Sequence, residues 1–243
     1  MVEALEPRIG DAFGVALLDR LAGSGSAIVI ERDDGFVDVD ASDYFGNVDA
    51  DPLWPWLRNY LGRRVLDLGS GAGRGALQVQ SENVDVLALD VSPGCIEVCR
   101  RRGVNSTFVG TLEQLANTDP ESFDTVLALG NNLGLIGSPE AAGHFFEAAA
   151  AVGTNDVRIA GTMLDPHLTD SPVHLEYHAS NRARGRLPGN VTIRVRYQRA
   201  ATAWFDLLWA SPTELEEICA AHGWVIEDTE PAGILYGAVL RRA

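Results

Sequence analysis

Short apolar segments alternate with amphipathic segments through the middle of the chain. The apolar segments are rich in Val, Leu and Ile, and they predict core strands at residues 64–68, 84–89, 107–109, 123–129 and 156–162. Segments with helical periodicity lie between them and predict helices at residues 74–80, 93–102 and 139–152. Continuously apolar strands separated by helices are typical of a parallel sheet that is covered on both faces.

The pattern changes near the C-terminus. Ser211-Pro212 predicts the start of a helix that runs through Ala221, and Gly223 predicts its end. Two strands are predicted after it, at residues 224–228 and 234–240. Because few residues separate these two strands, they are expected to pair antiparallel.

An arginine-rich segment precedes this C-terminal part. Residues 191–197 alternate strictly between apolar and polar side chains, so Arg194 and Arg196 are predicted to share one face of a strand. Residues 203–209 are the predicted partner strand. The two strands are expected to form an antiparallel hairpin appended to the sheet.

These elements predict one α/β domain over residues 1–243. We divide it into an N-terminal cap (residues 1–61), a cofactor-binding core (62–164), an insertion on the substrate side (165–210) and a C-terminal helix with a strand pair (211–243). The length suffices for one substantial core.

The charge of the chain argues against nucleic acid as a general partner. The chain carries 34 Asp and Glu residues against 19 basic residues, all of them arginine, for a formal net charge of −15. Such a surface repels a phosphate backbone, so nucleic acid is an unlikely general partner. The composition suits a halophilic or a high-GC source.

The remaining composition predicts a cytoplasmic protein. The N-terminus has no basic stretch followed by an apolar run, so no signal peptide is predicted, and no apolar run is long enough to span a bilayer. The three cysteines are an odd number in a chain too large to need disulfides. No pattern in the sequence indicates an oligomeric state.

The first predicted strand leads into a glycine-rich turn. Gly69, Gly71 and Gly73 alternate with small residues in the segment VLDLGSGAGRG, and a helix follows at once. Glycines let a ligand approach the backbone closely. Alone, the motif is a weak signal, because nicotinamide and flavin enzymes share it and because it can simply be a tight connection.

Two carboxylates narrow the choice of ligand. Asp67 lies in the strand, two residues before the first glycine, where its charge favours a cationic amino group over a pyrophosphate. Asp90 ends the next strand, where a carboxylate can accept both hydroxyls of a ribose. The pair therefore predicts a nucleoside ligand that carries a positive charge.

At these residues the chain resembles the class I S-adenosylmethionine-dependent methyltransferases, over about residues 63–241. The resemblance implies a Rossmann-like, doubly wound sheet of seven strands with an antiparallel last strand. It also implies S-adenosylmethionine as the cofactor. The three glycines would line its methionine moiety, Asp67 would serve the amino group and Asp90 would hold the ribose.

The same resemblance extends to residues after the third and fourth strands. Thr111 and Leu112 stand where many members contact adenine, although Thr111 replaces the usual acid. Asn131 and Asn132 stand beside the position of the reacting methyl group, where Asn131 would also contact the cofactor. Alternatively, the two amides cap the following loop.

Few residues are candidates for contact with the methyl acceptor. His167 follows the fifth strand and is our first choice for a general base, although an isolated histidine is more often a surface residue. Arg194 and Arg196 are candidates for a carboxylate or phosphate on the acceptor, the alternative being ion pairs on a solvated face. Tyr44 is the candidate lid contact, unless it only packs on the sheet edge.

Three functions stay open at this point. The leading one is methyl transfer from S-adenosylmethionine to a small-molecule acceptor. A nicotinamide-dependent oxidoreductase shares the strand, the glycine turn and the ribose acid, and a third possibility is a non-catalytic protein that binds S-adenosylmethionine. No metal site is predicted, because Cys95 and Cys99 share a helix face without further ligands nearby.

Overall fold

The computed structural model describes residues 7–119 and 122–243. Residues 1–6, the start of the predicted N-terminal cap, lie outside the described residues. The α-helices of the described part are α1 (Ala12–Leu21), α2 (Trp54–Leu57), α3 (Arg74–Ser81), α4 (Pro93–Arg102), α5 (Leu112–Ala116), α6 (Ala142–Val152), α7 (Pro172–Ala183) and α8 (Pro212–Ala221).

The strands of the described part are β1 (Arg8–Ile9), β2 (Val29–Arg32), β3 (Val37–Val39), β4 (Arg64–Leu68), β5 (Asp85–Asp90), β6 (Ser106–Val109), β7 (Phe123–Ala128), β8 (Gly153–Leu164), β9 (Asn190–Tyr197), β10 (Ala200–Ala201), β11 (Phe205–Leu208), β12 (Trp224–Ala232) and β13 (Leu235–Arg242). Short 3-10 helices lie at Val48–Ala50, Arg58–Tyr60, Asn132–Ile136 and Pro166–Leu168.

The main sheet has seven strands in the order β12-β13-β8-β7-β4-β5-β6. Strands β4 to β8 are parallel to one another, and β13 runs antiparallel to both β8 and β12. The α/β class, the seven strands and the antiparallel last strand are therefore confirmed. The strand order reverses between β4 and β7, and open parallel sheets bind ligands at such a reversal.

Apolar clusters cover both faces of the main sheet, as the continuously apolar strands predicted. One cluster contains Phe123, Phe146 and Trp224, and the other contains Trp54 and Val79. Because both faces are covered, the strand ends carry the polar groups that reach a ligand. No helix among residues 7–119 and 122–243 is long and apolar enough to cross a membrane.

A second sheet corrects the expectation that the arginine-rich hairpin extends the main sheet. Its order is β1-β10-β9-β2-β3, with β11 also paired to β9. The hairpin of β9 and β11 forms antiparallel as predicted, but β9 pairs on its other side with β2 from the N-terminal region. Alternating side chains let one face of β9 pack on α1 and α7 while the other stays polar.

Two helices differ from the sequence expectations. The third predicted helix was expected to start at Pro139, but α6 begins at Ala142, because the amides of Ala141 and Ala142 bond to the Ser138 carbonyl in a turn. Helix α7 was not predicted. Its buried face carries the polar side chains His178 and Asn181 beside Tyr177, so the helix lacks the apolar period that the sequence pattern requires.

The N-terminal ends of α1 and α4 are in direct contact. Asp11 accepts hydrogen bonds from the Gly14 amide at 3.0 Å, the Gly94 amide at 2.8 Å and the Ser92 hydroxyl at 2.6 Å. A Cβ at Gly94 would lie 2.7 Å from the Gly14 Cα. Glycine at both positions therefore permits this approach, which places α1 over the glycine turn.

We expect Gly94→Ala to lower the free energy of unfolding by about 1–3 kcal/mol, because the added methyl group overlaps the backbone of α1. Gly10→Ala is the matched control, since apart from its chain neighbours no atom of residues 7–119 and 122–243 lies within 4 Å of a Cβ there, and its stability should change by less than about 0.5 kcal/mol. Urea unfolding measures both. Equal stability of the two variants would show that the contact between α1 and α4 imposes no constraint.

Candidate active site

The turn between β4 and α3 holds its three glycines in left-handed backbone conformations. Gly69, Gly71 and Gly73 have φ angles of 68°, 54° and 77°, which residues with a side chain rarely adopt. The Gly69 amide donates to the Leu89 carbonyl at 2.9 Å, which fixes the turn to the end of β5. Apart from chain neighbours, a Cβ at Gly71 would meet only a Phe13 ring carbon, at 3.9 Å, among the described residues. A side chain would therefore meet less of the protein at Gly71 than at Gly69 or Gly73.

Asp90 lies at the carboxyl end of β5 and supports the turn from one side. Its Oδ2 accepts the Gly71 amide and its Oδ1 accepts the Ser92 amide, both at 2.9 Å. Burial raises the pKa of Asp90, while these two amides lower it. Each carboxylate oxygen keeps a further lone pair. Asp90 can therefore hold the turn and accept ligand hydroxyls at the same time.

Asp67 lies beneath the start of α3 and is 3% exposed. Its Oδ2 accepts the Ala76 amide at 2.9 Å. Burial raises the pKa of Asp67 to about 7, and the charge of Asp90 adds to the shift. The carboxyl group therefore stays protonated to a higher pH than an exposed aspartate does. Its predicted contact with a ligand amino group, direct or through water, stays a prediction.

Asn132 links the exits of β7 and β4. Its Nδ2 donates to the Leu68 carbonyl at 2.9 Å and to the Gly69 carbonyl at 2.8 Å. This amide therefore bonds to the end of β4 and the glycine turn rather than to the loop that follows it. Asn132 positions the first glycine, and its predicted role beside the reacting atoms stays a prediction.

Asn131 has a side-chain oxygen without a partner. Its backbone is left-handed, with a φ of 68°, and its amide donates to Thr162 Oγ1 at 2.9 Å. Its Oδ1 is enclosed and accepts no hydrogen bond from the described residues. An unpaired buried acceptor costs about 1–3 kcal/mol. A donor on a ligand at the end of β7 would remove this cost.

The two residues predicted to contact adenine lie at the start of α5. Thr111 caps this helix, because its hydroxyl accepts the Gln114 amide at 3.2 Å and its own amide donates to the Gln114 side chain at 2.9 Å. Leu112 is buried in the core. The hydroxyl thus has a structural role, and adenine contact by either residue stays a prediction.

Tyr44, the predicted lid contact, lies between α1 and the segment after β3. Its hydroxyl donates to Asp40, and its ring meets that of Phe13 edge to face at 5.1 Å between centroids. The Phe13 ring lies next to Gly71, so it separates Tyr44 from the glycine turn. A ligand contact by Tyr44 stays a prediction.

His167 lies in the 3-10 helix after β8, and its side chain is 47% exposed. Its Nε2 is 3.1 Å from Glu214 Oε1, at the start of α8. The structure therefore pairs the predicted base with a carboxylate. Its role as a base stays a prediction.

Arg194 and Arg196 share one face of β9, as the alternation predicted, and both contact Glu31 of β2. The distances to Glu31 Oε2 are 2.8 Å from Arg194 Nε and 3.3 Å from Arg196 Nη1. These contacts hold the pKa of Glu31 below its usual value. The Arg194 guanidinium also lies 4.6 Å from the Trp204 ring centroid. An acceptor contact by either arginine stays a prediction.

Sequence reasoning missed Asp11 and Phe13, which complete the site from the N-terminal side. A signal was present, because Asp11 precedes apolar residues at the helical spacing of Ala12, Ala16 and Leu17. That pattern is typical of a capped helix. The approach of α1 to the glycine turn has no such local signal.

Together these groups lie at the carboxyl end of the parallel strands, and their chemistry would suit a cationic nucleoside. Asp90 offers acceptors for hydroxyl groups, Asn131 offers one for an N–H group, and Asp67 supplies negative charge. Within the glycine turn, Gly71 is the least crowded position, whereas Gly69 and Gly73 face Asn132 and Cys99. Residues 7–119 and 122–243 contain no group of three or more His, Cys, Asp or Glu side chains suited to a metal ion.

Residues 65–155 match the family model described as a methyltransferase domain. The matched segment begins in β4 and contains the glycine turn, both carboxylates and the two asparagines. A curated relative, the tRNA U34 carboxymethyltransferase of Hydrogenovibrio crunogenus, is 36% identical over 91 residues. That alignment covers 33% of this chain and only 27% of the relative's own length.

Solved structures extend the similarity to the whole fold. A S-adenosylmethionine-dependent methyltransferase from Bacteroides fragilis, in complex with S-adenosylhomocysteine, has a TM-score of 0.80 at 25% identity and covers 96% of this chain and 95% of its own. A 1,6-didemethyltoxoflavin-N1-methyltransferase from Burkholderia thailandensis has a TM-score of 0.53 at 19% identity, over 81% and 80% of the two chains. The second similarity concerns the fold alone.

We expect the affinity for S-adenosylmethionine to rise with pH between 6 and 8. The pKa of Asp67 is about 7 without ligand, and a cation binds the ionised carboxylate more tightly than the neutral acid. Ionisation therefore strengthens binding, by up to about tenfold over this range. Calorimetric titration across the range measures the slope.

The control for this experiment is Asp67→Asn, which cannot ionise and should bind more weakly with a flatter pH profile. The ligand's own amino group also titrates, and it contributes equally to the pH dependence of both proteins. The difference in slope between wild type and Asp67→Asn therefore reports the ionisation of Asp67. An unchanged slope in Asp67→Asn would show that Asp67 does not titrate with binding.

Proposed function

We propose that this chain is a class I S-adenosylmethionine-dependent methyltransferase that transfers the methyl group of S-adenosylmethionine to a small-molecule acceptor. The observation that carries this proposal is the pairing of Asp67 and Asp90 across the glycine turn, within the segment that matches the methyltransferase domain. The experiment below tests the identity of the acceptor.

The residues present fit this cofactor. Asn131 Oδ1 lacks a donor in the described part of the chain, and the cofactor carries amino groups that can supply one. Asp90 suits the two ribose hydroxyls, and Asp67 suits the positive charge. Gly69, with its left-handed backbone, has no side chain that would fill the space beside Asn132.

When bound, S-adenosylmethionine supplies a methyl carbon that leaves the electron pair of its C–S bond on sulfur and accepts the lone pair of the acceptor. The chain's contribution is to align the reactants and exclude water, and alignment alone can be worth roughly 7–11 kcal/mol. Asn132 and Asp90 fix the turn for this purpose, because they hold Gly69 and Gly71 from opposite sides.

We propose His167 as the base for an acceptor that is protonated at working pH. In the tautomer whose Nε2–H donates to Glu214, the Nδ1 lone pair is free to take a proton. Glu214 would then stabilise the imidazolium that forms. This arrangement follows the general logic of a base oriented by a carboxylate.

We propose that Arg194 and Arg196 favour an acceptor with an anionic group. The two guanidinium groups lie side by side on one face of β9, where both contact Glu31. A planar guanidinium suits a carboxylate or a phosphate. Tyr44 would cover the opposite side of the site.

Charge supports a small acceptor over a nucleic acid. The net charge of −15 opposes binding to a phosphate backbone. The tRNA-modifying relative matches this chain over only a third of its length, whereas the Burkholderia neighbour was solved with the small molecule 1,6-didemethyltoxoflavin bound. The described cysteines are free thiols, which agrees with a cytoplasmic location.

Incubation with methyl-labelled S-adenosylmethionine and a cell extract tests the proposal, after separation of RNA from metabolites. We expect label in the metabolite fraction. Asp90→Ala should abolish transfer, because it removes the acceptors that hold Gly71 and the ribose. Asp85→Ala is the matched control in the same strand, since Asp85 is exposed and pairs with Arg64 away from the site.

Label in the RNA fraction would overturn the small-molecule acceptor. Tight binding without transfer to any fraction would favour a non-catalytic role. Binding of a nicotinamide dinucleotide in preference to S-adenosylmethionine would instead indicate an oxidoreductase.

A further inference from the structure

A cleft beside α3 lies apart from the glycine turn and from the residues proposed for the acceptor. Its volume is about 280 Å³. Three parts of the chain form its walls, namely the segment between β3 and α2, helix α3 and the end of α4. The lining residues include Phe45, Asn47, Arg74, Leu77, Gln78 and Arg102. None of the described residues assigned to the candidate active site lines this cleft.

The charge of the cleft differs from that of the rest of the chain. Its lining includes two arginines, and no Asp or Glu of the described residues is part of it. The chain as a whole carries 34 Asp and Glu residues against 19 basic residues, with a formal net charge of −15. A cleft lined by arginine without carboxylates, in so acidic a protein, offers local positive charge to an anion.

Arg74, the first residue of α3, is the half-buried arginine of this lining that lacks a partner. Its guanidinium forms no hydrogen bond or ion pair with any described residue. Asp67 lies close enough to feel its charge, but that carboxylate is buried beneath the helix and accepts the Ala76 amide. The donors of Arg74 are therefore available to a ligand in the cleft.

Arg102, at the end of α4, is the second arginine of the cleft. Its Nη1 donates to the Ala72 carbonyl at 2.6 Å, and its Nη2 donates to the Phe45 carbonyl at 3.1 Å. These carbonyls are neutral, so they orient the guanidinium without balancing its charge. Burial lowers the pKa of Arg102, although the charge of Asp43 opposes that shift. An anion in the cleft would supply the missing balance.

Two carboxylates near the cleft are held by other groups. Asp43 accepts two backbone amides of the segment that follows it, at 2.9 and 3.1 Å. Glu82 pairs with Arg58 at 3.3 Å. Neither carboxylate forms an ion pair with Arg74 or Arg102, so neither neutralises these two guanidinium groups by direct contact.

We propose that the cleft is a binding site for a small oxyanion, a carboxylate or a phosphate group held by Arg74 and Arg102. A planar guanidinium donates paired hydrogen bonds to such groups. Phe45 and Leu77 add apolar walls, which suit a small metabolite that carries the anionic group. Arg102 also joins this site to the glycine turn, because it holds the Ala72 carbonyl.

Titration calorimetry with inorganic phosphate and, separately, with succinate at constant ionic strength tests this proposal. We expect saturable binding of at least one probe, and the tighter one identifies the preferred anionic group. Arg74→Gln should weaken that binding by about tenfold or more, because it removes the guanidinium that has no other partner. Arg101→Gln is the matched control, since it removes the same charge from α4 but Arg101 pairs with Glu97 outside the cleft. Its effect should stay below about twofold.

Gln78→Glu tests the same site with almost no change in side-chain size. Gln78 lies one helical turn after Arg74, so a carboxylate there would compete with the anion for the guanidinium and should weaken binding by about tenfold or more. Gln80→Glu adds the same charge to α3 outside the cleft, and its effect should stay below about twofold.

Wild-type protein that shows no saturable binding of either probe would overturn the proposal. Equal weakening by Arg74→Gln and Arg101→Gln would overturn it as well, because the anion would then respond only to overall charge. The same conclusion would follow from equal effects of Gln78→Glu and Gln80→Glu.

Discussion

The site depends on the carboxylate of Asp90, which accepts the Gly71 amide with one oxygen and the Ser92 amide with the other. These bonds join the glycine turn after β4 to the start of α4. Ser92 continues the connection, because its hydroxyl donates to Asp11 at the start of α1. One carboxylate thereby sets the relative positions of three segments that surround the ligand.

The same arrangement concentrates negative charge where the protein has little to balance it. Asp67 and Asp90 are buried, and burial raises the pKa of both carboxyl groups. The compensating groups are backbone amides, which carry only partial charges, and the charge of Arg74 near Asp67. In the proposed function, a cationic nucleoside would supply further positive charge, and its binding would then be coupled to the ionisation of Asp67. A sulfonium would gain from this charge and a pyrophosphate would not.

Local sequence patterns were sufficient for the core of the fold. The apolar strands, the helix starts and the segment from Asp67 to Asp90 follow from properties of a few adjacent residues, and β4 and α4 have the predicted bounds. Long-range pairing was not predictable. Strand β9 was expected at the edge of the main sheet, but it pairs with β2, more than 150 residues earlier in the chain. No local signal specifies such a partner.

The same distinction between local and long-range signals applies to the candidate site. Asp67, Asp90 and the glycines could be proposed as ligand residues because they stand next to one another in the motif or at strand ends, and this role stays a prediction. Phe13 was not identified, since its approach to Gly71 requires the packing of α1 on α4. The unpartnered oxygen of Asn131 likewise becomes visible only when the surroundings of the side chain are known.

A crystal structure of the protein with S-adenosylhomocysteine tests the central claim most directly. The account predicts that the ligand lies on the glycine turn, with both ribose hydroxyls within hydrogen-bond distance of Asp90 and a ligand N–H within reach of Asn131 Oδ1. Density for the ligand elsewhere, or an unchanged turn without ligand at saturating concentration, would contradict it.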